Sequence, residues 1–264
     1  VSAAASPIPK LTGEISRTSA VTPRGVPYEN ITVSISGDKA QLFVPHTAIP
    51  KTATVGVIWY YHANGSTYSA MNGAYKYSGE LLVDQGAVCF CPNLGGSLWT
   101  NSAAIAYHGR AVAYLKTQFR IGVSFLRGNS GGGSMASYAY GKNLVPAAKG
   151  LYLANGTYDM EDLASRDPIR IMPVYDNSAS KVVATNPARI PASAWNGKRI
   201  RVVVSDAAHP DIVVPPAKHG LALVSSARRG GAAENSVVYH QLGHQIPGLA
   251  NKDMVDTFGR WLNA

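Results

Sequence analysis

Gly128-Asn129-Ser130-Gly131-Gly132 sets one serine inside a run of glycines. An apolar segment, Ile121 to Leu126, precedes it, and small and apolar residues follow from Gly133. The spacing is G-x-S-x-G, in which a serine on a strained strand-to-helix turn lifts its hydroxyl clear of the sheet. A phosphate-binding loop shares that setting, but it needs a lysine beside its last glycine or a G-x-G-x-x-G spacing. The next lysine here is Lys142, too late to serve. A serine hydroxyl is a poor nucleophile near neutral pH. It needs a base within hydrogen-bond reach, and the base needs a carboxylate that fixes its tautomer. Both follow in chain order. VVVSDAAHPDIVVPP carries Asp206 and Asp211, and VVYHQLGHQIPG carries His240 and His244. Such a set could perform acyl transfer. By itself the pentapeptide is weak, because a chain with 26 glycines can place a Gly/Ser turn anywhere.

Residues so far apart meet only if the elements between them bring them to one edge. ENITVSISGDKAQLFVP reads as a hairpin, Ile31 to Ser36 and Ala40 to Val44, around a Gly-Asp turn. Val55 to Tyr61 is a strongly apolar strand. Ser66 to Asp84 is expected as a helix weakened by Gly73 and Gly79, and AVCFC as a buried strand. Asn101 to Phe119 has helical spacing. After the Ser130 turn come a strand in KGLYLANG, a strand in KRIRVVVSD, a helix from Pro216 to Arg229 and a strand in NSVVYHQL. NKDMVDTFGRWLNA predicts a terminal amphipathic helix capped by Asn251. Thr157 to Gly197 has four prolines and mixed polarity, and reads as a small lid-like excursion. Residues 1–25 are small, Pro-rich and Ser/Thr-rich, and read as an extended arm; residues 26–264 then form one domain. The alternation predicts the α/β class: about eight strands, mostly parallel, with helices on both faces and an opening β-hairpin. In such sheets ligands bind at the carboxyl ends of the strands. His62, Asn64, Ser130, Asp206, Asp211 and His244 all fall there.

With these elements in order, the chain resembles the α/β-hydrolase superfamily from Ile31 to Leu262. The residues that carry the resemblance are His62-Ala63-Asn64-Gly65, Gly128 to Gly132, Asp211-Ile212-Val213-Val214-Pro215 and Gly243-His244. Ala63 stands where a glycine is common in the family. The resemblance implies that Ser130 is the nucleophile and His244 the general base and then acid. It implies an oxyanion hole from the N–H groups of Gly131 and Asn64. Asp211 is its choice for the acid, with Asp206 a close rival and Asp159 a third option. His62 would shape the loop and, with Tyr68 and Trp99, would contact substrate; Tyr60, Tyr61 and Trp195 also fall on or near that edge. The implied reaction is hydrolysis of an ester without a cofactor. Peptidase or acyltransferase chemistry, or an idle binding module attached to a larger assembly through the arm, are the alternatives.

The net charge of +9 suggests an anionic partner, such as an acidic polymer ester. The cations are scattered without interleaved aromatics, so nucleic acid is not expected; Arg228 and Arg229 fit a helix C-terminus. Cys89 and Cys91 alternate on one strand and read as buried free thiols. His209 lies between Asp206 and Asp211, yet three such residues in one loop are too few ligands, and no metal is expected. His240 is expected to be structural, and His108 and His219 to be surface residues of helices. Asn30, Asn64 and Asn155 begin N-x-S/T sequences. No apolar run has membrane-spanning length and no basic-then-apolar leader opens the sequence. A soluble protein is expected, its compartment open, secretion included.

Overall fold

A computed structural model of the chain describes residues 6–264, and a nine-stranded sheet forms its centre. The strands are β1 (Glu14–Val21), β2 (Pro27–Ile35), β3 (Asp38–Pro45), β4 (Thr54–Tyr61), β5 (Val88–Pro92), β6 (Arg120–Asn129), β7 (Ala148–Ala154), β8 (Arg199–Ser205) and β9 (Glu234–His240). Their spatial order is β1-β2-β3-β5-β4-β6-β7-β8-β9. The β1–β2, β2–β3 and β3–β5 pairs are antiparallel, and every pair from β5 to β9 is parallel. The helices are α1 (Lys76–Val83), α2 (Ser102–Gln118), α3 (Gly132–Gly141), α4 (Met160–Arg166), α5 (Pro168–Ile171), α6 (Ala179–Thr185), α7 (Gly220–Arg229) and α8 (Leu249–Leu262).

Strand periodicity sorts the apolar side chains onto two faces. On β4, Val55, Val57, Trp59 and Tyr61 join one core, together with Leu115 of α2, Ala136 of α3 and Leu223 of α7. Ile58 and Tyr60 point the other way, into a core shared with Leu82 of α1 and Met254, Phe258 and Trp261 of α8. Both faces are therefore covered, as a parallel sheet requires. The strand order reverses at β4, whose neighbours β5 and β6 both follow it in the chain. A crevice opens at the carboxyl ends of strands where the order reverses so.

Several sequence expectations change. The ninth strand, β1, lies inside the expected arm. Residues 6–25 are extended but not loose: Ile8 and Leu11 are buried in the core, and Arg17 donates to the carbonyls of Ile8 and Pro9. Residues 1–5 of that arm lie outside the described residues. The expected helix over Ser66–Asp84 is a 3₁₀ turn, Tyr68–Asn72, followed by α1, with the break at Gly73. Asn251 does not cap α8; the helix begins at Leu249, after Pro247 and Gly248, and Asn251 sits in its first turn. Asn101 does cap α2, accepting from the Ala104 N–H at 2.8 Å. Arg228 and Arg229 occupy the last turn of α7, and Cys89 and Cys91 are buried free thiols on β5. The excursion after β7 holds α4, α5 and α6. Met160, Leu163, Ile171, Tyr175 and Val182 gather there around Trp99 in a separate small core. None of the described helices is long and apolar enough to cross a membrane.

Candidate active site

Ser130 sits between the last residue of β6 and the start of α3 with φ 46°, in the left-handed region. Three backbone bonds hold it there. Its N–H donates to Ala154 O (3.1 Å), and its carbonyl accepts from Gly133 N–H and Thr157 N–H, both at 2.9 Å. A non-glycine residue in this region carries strain that surrounding contacts must offset. The flanking glycines answer to crowding. A Cβ on Gly132 would lie 2.1 Å from Tyr61 O at the end of β4, and one on Gly131 would lie 2.9 Å from Asn64 N. Only bare backbone lets the turn approach the loop after β4 this closely.

The turn aims the Ser130 hydroxyl at a histidine. Ser130 Oγ lies 2.9 Å from His244 Nε2, and His244 Nδ1 lies 2.8 Å from Asp211 Oδ2. Since the carboxylate accepts, Nδ1 carries the ring proton, and Nε2 is free to accept from the serine. Asp211 is 2% exposed. Its Oδ1 accepts from Val213 N–H (2.9 Å) and Val214 N–H (2.8 Å), so the loop folds round its own carboxylate. Burial pushes this carboxyl up. The hydrogen bond from His244 and those from Val214 and Val213 outweigh it and hold the group below its ordinary range.

Asn64 and Gly131 line the same two hollows beside Ser130. Among the described residues neither backbone N–H donates to a protein acceptor. Both hollows are small. One, about 20 Å³, is lined by Tyr61, Asn64, Leu94, Trp99, Gly131 and Met135 among others. The other, about 30 Å³, reaches Ser130 between Trp99, Leu163, Ile171, Val213 and Val214, with Asp167 and Arg170 at its rim. Trp99 walls both hollows and has φ 46°, a strained conformation for a bulky side chain.

The remaining expected residues go elsewhere. Asp206 pairs with His209 at 2.8 Å on the exposed part of its loop and makes no contact with His244. Asp159 caps α4, accepting from Glu161 N–H and Asp162 N–H. The two ring nitrogens of His62 lie 3.0 and 2.9 Å from Ala63 O and Asn93 O, tying the loop after β4 to the loop after β5. Tyr68 opens the 3₁₀ turn and lines neither hollow. Tyr60 and Trp195 are fully buried in the two cores, away from the crevice. His108 and His219 are fully buried rather than on the surface: Tyr61 Oη lies 2.9 Å from His108 Nε2, and Tyr158 N–H donates to His219 Nδ1 at 3.0 Å. Among the described residues no three His, Cys, Asp or Glu side chains gather where they could hold a metal ion. Sequence reasoning passed over two residues beside the site. Asn155 grips the His244 loop and Arg166 the Asp211 loop. Asn155 has a local signal, an Asn-Gly pair after a strand; its N-x-T sequence is not a surface acceptor, because the residue is 2% exposed.

No family model matches the chain, and no curated protein sequence matches it. Solved structures match it in shape. An acetyl xylan esterase from Paenibacillus sp. R4 superposes with a TM-score of 0.64 at 13% identity, covering 96% of this chain and 89% of that one. An S-formylglutathione hydrolase from Agrobacterium tumefaciens gives a TM-score of 0.62 at 13% identity, over 95% of this chain and 98% of that one. Prolyl oligopeptidase B from Galerina marginata gives 0.62 at 13% identity; 93% of this chain is covered but only 35% of that one. These proteins are α/β-hydrolases, and this chain has the α/β-hydrolase fold.

Proposed function

We propose that the chain is a serine hydrolase that cleaves carboxylic esters through an acyl-enzyme, with ester groups on a polymer as its substrate class. One observation carries this reading: an unbroken hydrogen-bond chain runs from Ser130 through His244 to buried Asp211, beside two backbone N–H groups that have no acceptor among the described residues. Ser130 Oγ attacks the ester carbonyl while His244 Nε2 takes its proton. The oxyanion of the tetrahedral intermediate accepts from Gly131 N–H and Asn64 N–H, each worth roughly 10²–10³ in rate. His244 returns the proton to the departing alcohol. Water, deprotonated by the same nitrogen, then releases the acid and restores the serine. Asp211 stays ionised and steadies the imidazolium.

The hollows support a short acyl group. At about 20 and 30 Å³ each holds one or two small groups, since a water needs about 10–15 Å³. The acetyl xylan esterase among the matching structures agrees with a small acyl group on a polymer. The charge of +9 favours an acidic polymer over a neutral one.

Aryl esters of graded acyl length, run beside peptide amides, test the proposal. Acetate should exceed octanoate in kcat/KM by roughly tenfold or more, and amides should be poor. A serine-directed phosphonate should label the wild type at Ser130, and Ser130→Ala should lose labelling and on the order of 10⁵–10⁶-fold in kcat. Added salt should slow the hydrolysis of an anionic polymer ester and leave a neutral one unchanged. No turnover together with no labelling would sink the proposal.

A further inference from the structure

Behind His244, outside the hydrogen-bond chain just described, a closed ring of polar contacts surrounds one buried amide. Asn155 follows β7 with φ 44°, and its N–H donates to Val203 O at 2.9 Å. Its Nδ2 donates to Gly243 O (3.1 Å) and to Gln245 O (2.9 Å). These are the carbonyls on either side of His244. Its Oδ1 faces His240 Nε2 at 2.9 Å. The other nitrogen of that ring, Nδ1, accepts from Leu242 N–H at 3.1 Å. Nδ1 is therefore unprotonated, and the ring proton sits on Nε2 and donates to Asn155 Oδ1. That fixes the amide: its oxygen must face His240, and both N–H bonds must face the His244 loop. Every donor and acceptor of the side chain is used. A second tie reaches the same loop from β8, where Gly243 N–H donates to Ser205 Oγ at 3.0 Å.

We propose that Asn155, its amide oriented by His240, is a positioning residue that holds the His244 imidazole in line between Ser130 and Asp211. The proposal rests on the reading of His244 as the base. Three residues on three strand ends, β7, β8 and β9, fix the backbone of one short loop. Asparagine suits this place on two counts. It supplies two donors and one acceptor in a plane, and it tolerates the left-handed backbone better than most residues. An aspartate there would present oxygens to two carbonyls, and a leucine would leave both carbonyls unpaired.

Two variants keep the backbone and remove the grip. Asn155→Gly suits φ 44° without strain. Asn155→Asp keeps the size and the acceptor for His240 but loses the two donors. Both should lower kcat on aryl acetate roughly 10- to 100-fold with KM within about twofold, the pattern of a misplaced base and not of lost binding. Phosphonate labelling of Ser130 should slow in step. A readout without substrate accompanies these: the Nδ1 proton of His244, hydrogen-bonded to Asp211, should give a resolved low-field NMR signal in the wild type and a broadened or missing one in both variants. Far-UV circular dichroism and thermal melting confirm that each variant is folded. Should glycine unfold the chain, the aspartate variant carries the test. A folded variant with wild-type kcat, or with an unchanged Nδ1 proton signal, overturns the proposal. If the wild type turns over no ester while the proton signal responds as expected, the esterase reading fails and the positioning role stands.

Discussion

Two aspartates five residues apart end with opposite fates. Asp211 is buried, accepts two loop N–H groups and faces His244 Nδ1; Asp206 is paired with His209 where water screens it. Asp211→Asn keeps the shape but reverses a donor and an acceptor, which favours the wrong tautomer of His244; kcat should fall by about 10⁴-fold. Asp206→Asn should stay within about twofold, since an exposed pair contributes little. Comparable losses in the two variants, measured on one aryl ester, would remove Asp211 from its role. The order of Ser130, acid and His244 was legible in the sequence because each rests on a short local pattern of residue types. The choice between the aspartates was only partly legible. Nothing in VVVSDAAHPDIVV states which carboxylate turns inward; that depends on Val213 and Val214 folding back to donate. The grip of Asn155 on the His244 loop was illegible for a related reason. The two acceptors of its amide N–H groups are backbone carbonyls 88 and 90 residues away, and a carbonyl leaves no mark in the sequence.

At the next scale, α4 does more than roof the crevice. Arg166 in its last turn donates through Nη1 to Ile212 O (3.0 Å) and through Nη2 to Val213 O (3.1 Å), while its Nε donates to Asp162 Oδ2 (2.8 Å). The excursion after β7 therefore clamps the loop that presents Asp211. Arg166→Ala should lower kcat/KM roughly tenfold by loosening that loop, and Arg166→Lys should recover little, because an ammonium cannot span two carbonyls as a fork does. Hydrogen exchange at Ile212 to Val214 should quicken in both; unchanged exchange would mean that the clamp is idle. The excursion itself was legible from its prolines and mixed polarity, though its clamp was not. Elements with clear periodicity, β4, α2 and β8, stand where the sequence placed them. β1 was hidden because it is an edge strand. EISRTSAV shows no alternation, a register shift interrupts it between Glu14 and Ser16, and most of its side chains face water.

Over the whole molecule, neutral histidines buried in the fold set how it meets acid. His108 lies between Trp59 and Tyr61, and burial alone pushes it down to about 4. Burial likewise brings His219 down to about 4, against the pull of Asp162 and with the help of Arg166. Unfolded, both return to about 6.5. Between those values the unfolded chain binds more protons than the folded one, so stability falls as pH falls from about 6.5 toward 4. One such histidine contributes a loss of roughly 3 kcal/mol at most over that span. Asp211 and Asp253 are likewise shifted down, below the ordinary carboxylate range, because burial is outweighed there by hydrogen bonds from His244 and Arg201 respectively. Their stabilisation is complete above the ordinary carboxylate range and is lost only as pH falls through their lowered values. Melting temperature should therefore be nearly flat close to neutrality, decline below about pH 6.5 and steepen below about pH 4. His108→Gln separates the two limbs. Its amide oxygen can still accept from Tyr61 Oη, but it has no proton to gain. The decline between pH 6.5 and 4.5 should become shallower in that variant, while the steep limb below pH 4 remains. If the two melting curves run parallel across the upper interval, His108 is not held neutral by the fold, and the decline there must come from His219 and the remaining groups.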